Sequence, residues 1–130
     1  MKATILIVED NPVNMELVSD LLEPHGFTLL RASDAEHGIL LASAELPDLI
    51  LMDVGLPGMD GLEAARLLSG DARTRHIPVV ALTAHAMAGD AERAVDAGCA
   101  GYLSKPIQIK TFLSSVAQFI EARRANRNAA

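Results

Sequence analysis

The chain reads as an α/β fold, a parallel sheet covered by helices on both faces, and three observations lead there. Short continuous apolar runs, Ile5-Leu6-Ile7-Val8, Leu49-Ile50-Leu51-Met52 and Val79-Val80-Ala81-Leu82, have the composition of strands buried on both faces. Strand and helix patterns alternate five times along the 130 residues, which implies parallel pairing and right-handed crossovers. Each of the three runs also ends in residues able to do chemistry: Glu9-Asp10, Asp53 and Thr83. Ligands of such sheets bind outside the carboxyl ends of the strands, so these residues are expected on one rim.

Taken in order, strands are expected at 4–8, 27–31, 48–53, 78–82 and 100–103, and helices at 12–23, 34–45, 60–69, 86–97 and 106–122. Pro12 and Pro106 suit first-turn helix positions, where a missing N–H costs nothing. Asp34 is placed to cap the second helix, and Gly98 to stop the fourth. In the last helix Ile109, Phe112, Leu113, Val116 and Ile120 form one apolar stripe. The first helix is apolar over a wider arc, roughly 200°, about twice what one core-facing stripe needs. Val13, Leu17 and Leu21 make one stripe, and Met15, Val18 and Leu22 extend it. One part is expected to face the sheet; the remainder is free either for a partner helix or for the fifth helix.

The length suits one domain, over residues 1–122, followed by a basic tail at 123–130 that is expected to be solvated and disordered. Half the residues are hydrophobic, yet there is no Trp and only one Tyr, so the core must be aliphatic. The apolar runs are far too short to span a membrane, and the N-terminus has no signal-peptide pattern. A single Cys forms no internal disulfide, which points to a reducing cytosol, and Cys99 is expected to pack as a small hydrophobe. A net charge of −6 without a basic face argues against direct nucleic-acid contact.

If Glu9, Asp10 and Asp53 meet at the rim, their mutual repulsion calls for a cation. Few carboxylates, open coordination and room for water favour Mg²⁺ over Ca²⁺. Lys105 follows the fifth strand and adds an ammonium suited to an anion such as phosphate, and Thr83 adds a hydroxyl donor. Taken singly, Lys105 also fits a surface salt bridge and Thr83 a helix cap. Together these groups form a phosphoryl site. Aspartate is a known nucleophile for acyl phosphates, and Asp53, on the strand expected to lie centrally, is the obvious acceptor. Neither a Gly-rich P-loop nor a dinucleotide-binding glycine turn is present.

Four segments, Ile7-Val8-Glu9-Asp10-Asn11, Leu51-Met52-Asp53 through Leu56-Pro57-Gly58-Met59-Asp60-Gly61, Leu82-Thr83-Ala84 and Tyr102-Leu103-Ser104-Lys105-Pro106, resemble in order and spacing the receiver domain of bacterial two-component response regulators. The resemblance covers about residues 3 to 122. Within the family the chain is similar to stand-alone receivers of the cell-cycle and polarity type and to receivers of hybrid histidine kinases. It implies a (βα)5, doubly wound, flavodoxin-like sheet in order 2-1-3-4-5. It implies that Asp53 accepts a phosphoryl group from a histidine kinase or histidine phosphotransfer protein, with the signal passed on by contact with a downstream protein. Mg²⁺ would be held by Asp10, Asp53 and the Gly55 carbonyl, with Glu9 acting mainly through water. Lys105 would pair with the phosphoryl group and precede a cis bond to Pro106. Thr83 would move toward the phosphoryl oxygen and Tyr102 would swing inward behind it, although from the residues alone Tyr102 reads as a half-buried strand aromatic.

Some features depart from the family pattern. Glu9 stands where many receivers carry Asp, Gly55 leaves the second position after Asp53 without a side chain, and His85 is an uncommon neighbour of Thr83. His85 either influences water access to the phosphoryl group or is a solvated surface residue. His25, His37 and His76 have no partner at ligand spacing. Docking of the histidine-bearing partner is assigned to Met15, Val18 and Leu22 with Pro106. Phosphorylation-dependent dimerisation through the fourth and fifth helices stays open. Two other classes fit less well. An Asp-nucleophile phosphohydrolase wants an acid where Gly55 stands, and a flavin or nucleotide carrier wants a phosphate loop and stacking aromatics.

Overall fold

The computed structural model describes residues 3–56, 58–83, 90–104 and 108–129. Strands β1 (Thr4–Val8), β2 (Thr28–Ala32), β3 (Leu49–Asp53), β4 (Val79–Thr83) and β5 (Gly101–Ser104) alternate with helices α1 (Pro12–Leu22), α2 (Ala35–Glu45), α3 (Gly61–Gly70), α4 (Asp90–Asp96) and α5 (Ile109–Ala129). The strands form one sheet in the order β2-β1-β3-β4-β5, and every pairing is parallel. The expected fold class and strand order are therefore met.

Alternation along the strands builds two cores. Leu6, Val8, Ile50, Met52, Val79 and Ala81 pack under α2, α3 and α4 with Ala35, Leu62, Ala65, Leu68 and Ala94. Ile5, Ile7, Leu49, Leu51, Val80 and Leu82 pack on the other face under α1 and α5 with Val18, Leu22, Phe112, Val116 and Ile120. Burial on both faces is why these strands carry unbroken apolar runs. Because neighbouring strands of β1 lie on opposite sides, its two flanking connections diverge, and the crevice between the ends of β1 and β3 is the topological switch point.

Local chemistry accounts for the helix starts. Pro12 occupies the first turn of α1, and the Asn11 side chain caps it by accepting from the N–H groups of Val13 and Asn14. Asp34 and Asp60 cap α2 and α3 by accepting from His37 and Glu63 at 2.8 Å. The Asp34 carboxylate also meets His37 Nδ1 at 2.8 Å, a contact local to the cap. The His37 backbone N–H first, and its ring second, hold the Asp34 carboxyl below its usual range. This contribution to stability is present above the unfolded-state pKa and is lost as pH falls through the folded one. Gly98 takes φ +93° at the end of α4, as its stop role requires. Cys99 is a buried free thiol, and burial pushes its pKa up to about 11, in keeping with a packing role.

Several boundaries lie one residue from expectation, and two differences have a physical cause. α1 ends at Leu22, and Glu23–His25 form a single 3-10 turn closed by Gly26 at φ +85°. α5 continues through Ala129, so the tail expected to be disordered from residue 123 is helical there. Ala and Arg are strong helix formers and no breaker interrupts them. Arg123 is also tied down: its Nη1 donates to Asp48 Oδ1 at 2.7 Å, while Asp48 Oδ2 accepts from the Thr4 N–H at 2.8 Å. This pair pins α5 to the amino-terminal edge of the sheet. Arg123→Ala is expected to lower unfolding free energy by about 1–2 kcal/mol, measured by urea titration; an unchanged midpoint would show the pair to be idle.

Candidate functional site

Glu9 and Asp10 leave the end of β1, and Asp53 ends β3. The register sets Val8 opposite Met52, so these carboxylates arrive side by side. The Glu9 N–H bonds the Ala32 carbonyl at 3.0 Å, which prolongs the β1–β2 ladder by one residue and holds Glu9 inward. Glu9 and Asp53 are only 2% and 6% exposed, whereas Asp10 faces solvent. One carboxylate oxygen from each of the three lies within 4.8 Å of the others. Asp53 Oδ1 accepts the Gly55 N–H at 3.1 Å, and a Glu9 oxygen accepts the Asn11 N–H at 3.2 Å. These bonds orient both acids. Three oxygen donors at this spacing, with one side open to water, fit a hard divalent cation such as Mg²⁺.

Thr83 ends the neighbouring β4 and is buried, with Ser104 of β5 opposite it. Tyr102, 40% exposed, lies opposite Ala81, on the sheet face covered by α3 and α4. Between them is a recess of about 20 Å³ lined by Val54, Leu62, Ala81, Thr83, Arg93, Ala94 and Tyr102. Lys105, Pro106 and His85 lie outside the described residues. Of the expected site residues, Glu9, Asp10 and Asp53 are thus brought together, Gly55 stands beside Asp53, and Thr83 and Tyr102 share the recess on β4 and β5.

The docking residues need correction. Val18 and Leu22 are fully buried against the sheet and α5, and Met15 is partly buried beside them. The large apolar residues that α1 offers to solvent are Val13, 73% exposed, and Leu17, 46% exposed. Asn11 and Pro12 start the helix at the rim, and Val13 lies in its first turn. A signal for this phase existed: Glu16 and Asp20, three and seven residues after Val13, lie on the same side and mark it as the wet one.

One site residue carried no assigned role. A Cβ on Gly61 would overlap the Asp53 carbonyl oxygen, stand 2.9 Å from its carbon, and press on Met52 at 3.0 Å. The first residue of α3 must be glycine for the helix to lie against the end of β3. The signal was a glycine directly after the capping residue Asp60, where no turn demands one.

A family model for the response regulator receiver domain matches residues 5–117, and the chain belongs to that family. The chain is 43% identical over 120 residues to the polar-differentiation response regulator DivK of Brucella anthropi, covering 92% of this chain and 98% of that protein. Among solved structures, a putative response regulator from Chloroflexus aurantiacus superposes with a TM-score of 0.89 at 27% identity, over 93% of this chain and 99% of that one. The receiver domain of the sensor histidine kinase PA1611 from Pseudomonas aeruginosa, a structure with magnesium coordinated in its active site cleft, gives 0.86 at 34% identity, over 93% and 99%. The protein is a phosphoacceptor module of two-component signalling, a signalling protein rather than a dedicated enzyme. No described helix is long and apolar enough to cross a membrane.

Gly61→Ala is expected to cost about 1–3 kcal/mol of stability and to slow phosphoryl uptake by about tenfold, because the added methyl displaces the Asp53 backbone. Urea unfolding and acetyl phosphate labelling check the two effects separately.

Proposed function

We propose that Asp53 is the phosphoryl acceptor of a DivK-like response regulator, and that the chain is phosphorylated in the cytoplasm by a histidine kinase or histidine phosphotransfer protein. The gathering of Glu9, Asp10 and Asp53 within 4.8 Å carries this reading. An Asp53 carboxylate oxygen attacks the phosphorus of a phosphohistidine, the O–P bond forms, the P–N bond breaks, and the imidazole leaves. The Gly55 N–H on Oδ1 orients the carboxylate for attack. Asp10, Asp53 and the Gly55 carbonyl would hold Mg²⁺, with Glu9 contacting it through water. Bound Mg²⁺ would neutralise charge on the transferring phosphoryl group. Lys105 pairs with the phosphoryl oxygens, and Thr83 donates its hydroxyl to one of them. The same machinery assists self-phosphorylation from small donors and self-hydrolysis.

The histidine-bearing partner docks beside the rim on α1, through Val13, Leu17 and the edge of Met15. A downstream protein reads the face formed by α4, β5 and α5, which responds to Tyr102 turning inward, and dimerisation through that face is one output. The similarity to DivK over almost its whole length, at higher identity than to the PA1611 receiver, favours a stand-alone regulator over a hybrid-kinase receiver.

Incubation with acetyl phosphate and Mg²⁺ is expected to add one phosphoryl group by intact mass. EDTA should abolish the adduct, and Asp53→Asn should lack it; an adduct persisting in the mutant would move the acceptor elsewhere. Leu17→Asp should reduce transfer from the cognate kinase by about tenfold or more while leaving acetyl phosphate labelling unchanged, since it removes an apolar contact and adds a charge only at the docking face.

A further inference from the structure

On β5, Leu103 packs into the core under α5, and Gly101 leaves no room for a Cβ against the Phe119 ring. That face of the strand is clamped. The opposite face is loose: Tyr102 lies opposite Ala81, and Ala94 on α4 is equally small, so the two alanines leave the recess next to Thr83. Its volume, about 20 Å³, is room for about one water and far too little for a phenol ring. Val54, Leu62, Ala81 and Ala94 are short or packed into the core beneath. Among the described lining residues other than Tyr102, Arg93 alone has a long flexible chain, and it is exposed. Such a side chain can lay its methylene stem along apolar surface.

We propose that Arg93 is a positioning residue of the switch: its methylene stem closes the recess between Thr83 and Tyr102, and must withdraw before Tyr102 can turn inward. The proposal rests on the reading of Thr83 and Tyr102 given above and adds the group that sets their resting balance. Movement of Thr83 toward a phosphoryl group widens the recess from within, and withdrawal of Arg93 opens it from outside. Each supplies part of the room the ring needs, and their effects on the resting balance add. Removing the stem therefore shifts the population toward the inward state before any phosphorylation. Shortening to Ala does this, whereas Lys retains a methylene stem and holds the resting state.

The chain has one Tyr and no Trp, so its ultraviolet fluorescence reports Tyr102 alone. Acrylamide quenching is measured on wild type, Arg93→Ala and Arg93→Lys, each with Mg²⁺ and with or without acetyl phosphate. Thermal melts confirm that the variants fold, as an exposed substitution should allow. The expected result is that phosphorylation protects Tyr102 in wild type and in Arg93→Lys. Unphosphorylated Arg93→Ala should already be quenched about half as strongly as wild type. If wild type is protected on phosphorylation but unphosphorylated Arg93→Ala is quenched like wild type, Arg93 does not hold the recess closed. If Arg93→Lys behaves like Arg93→Ala, the stem is not the closing group and the proposal fails. If wild-type quenching does not change despite a phosphoryl adduct by mass, the Tyr102 switch itself is wrong and Arg93 falls with it.

Discussion

The pairing of β1 with β3 is the constraint on which the rest depends. Val8 lies opposite Met52, and this one register brings acids from separate parts of the chain to a common point. A slip of one residue would turn every side chain of the strand to the other face. Ile7 and Leu51 on one side, and Leu6 and Ile50 on the other, are completely buried, so such a slip would disrupt both cores at once. Apolar burial that has nothing to do with charge thus holds Glu9, Asp10 and Asp53 together. Three acids brought this close are suited to a cation.

The two faces of the sheet serve different ends. Under α1 and α5 the packing is dense, with Val18, Leu22, Phe112, Val116 and Ile120 filling the space, and Arg123 pairing with Asp48 beyond them. On the other face, alanines on β4 and α4 leave the recess beside Thr83. A rigid face fixes the acids at the switch point. A looser face next to Thr83 provides somewhere for a side chain to move, which a uniformly dense core would not allow. Gly61 joins the two functions, since the close approach of α3 to the Asp53 backbone ties the acceptor strand to the helix that flanks the recess.

Much of this was legible in the residues because the signals were strong and local. Unbroken apolar runs meant strands covered twice, and the acids at their ends meant a shared rim. Asp34 announced a helix start and Gly98 a helix stop. The phase of α1 was misread because its apolar residues cover two faces, and the stripe chosen for docking, Val18 and Leu22, is the one the core uses. The tail was misread because its basic residues lack an apolar stripe. Arg123 needs none: its partner Asp48 lies 75 residues earlier, and nothing near either residue reveals the other.

The sequence by itself determined the fold class, the order of elements and the identity of the three acids, since periodicity and strand-end position are properties of neighbouring residues. Only the tertiary structure decided which side of α1 faces water, that Gly61 must lack a side chain, that Arg123 is anchored, and that Arg93 borders a recess with Thr83 and Tyr102. Each of these depends on contacts between segments distant in the chain, and such contacts exist only once the sheet register has been set.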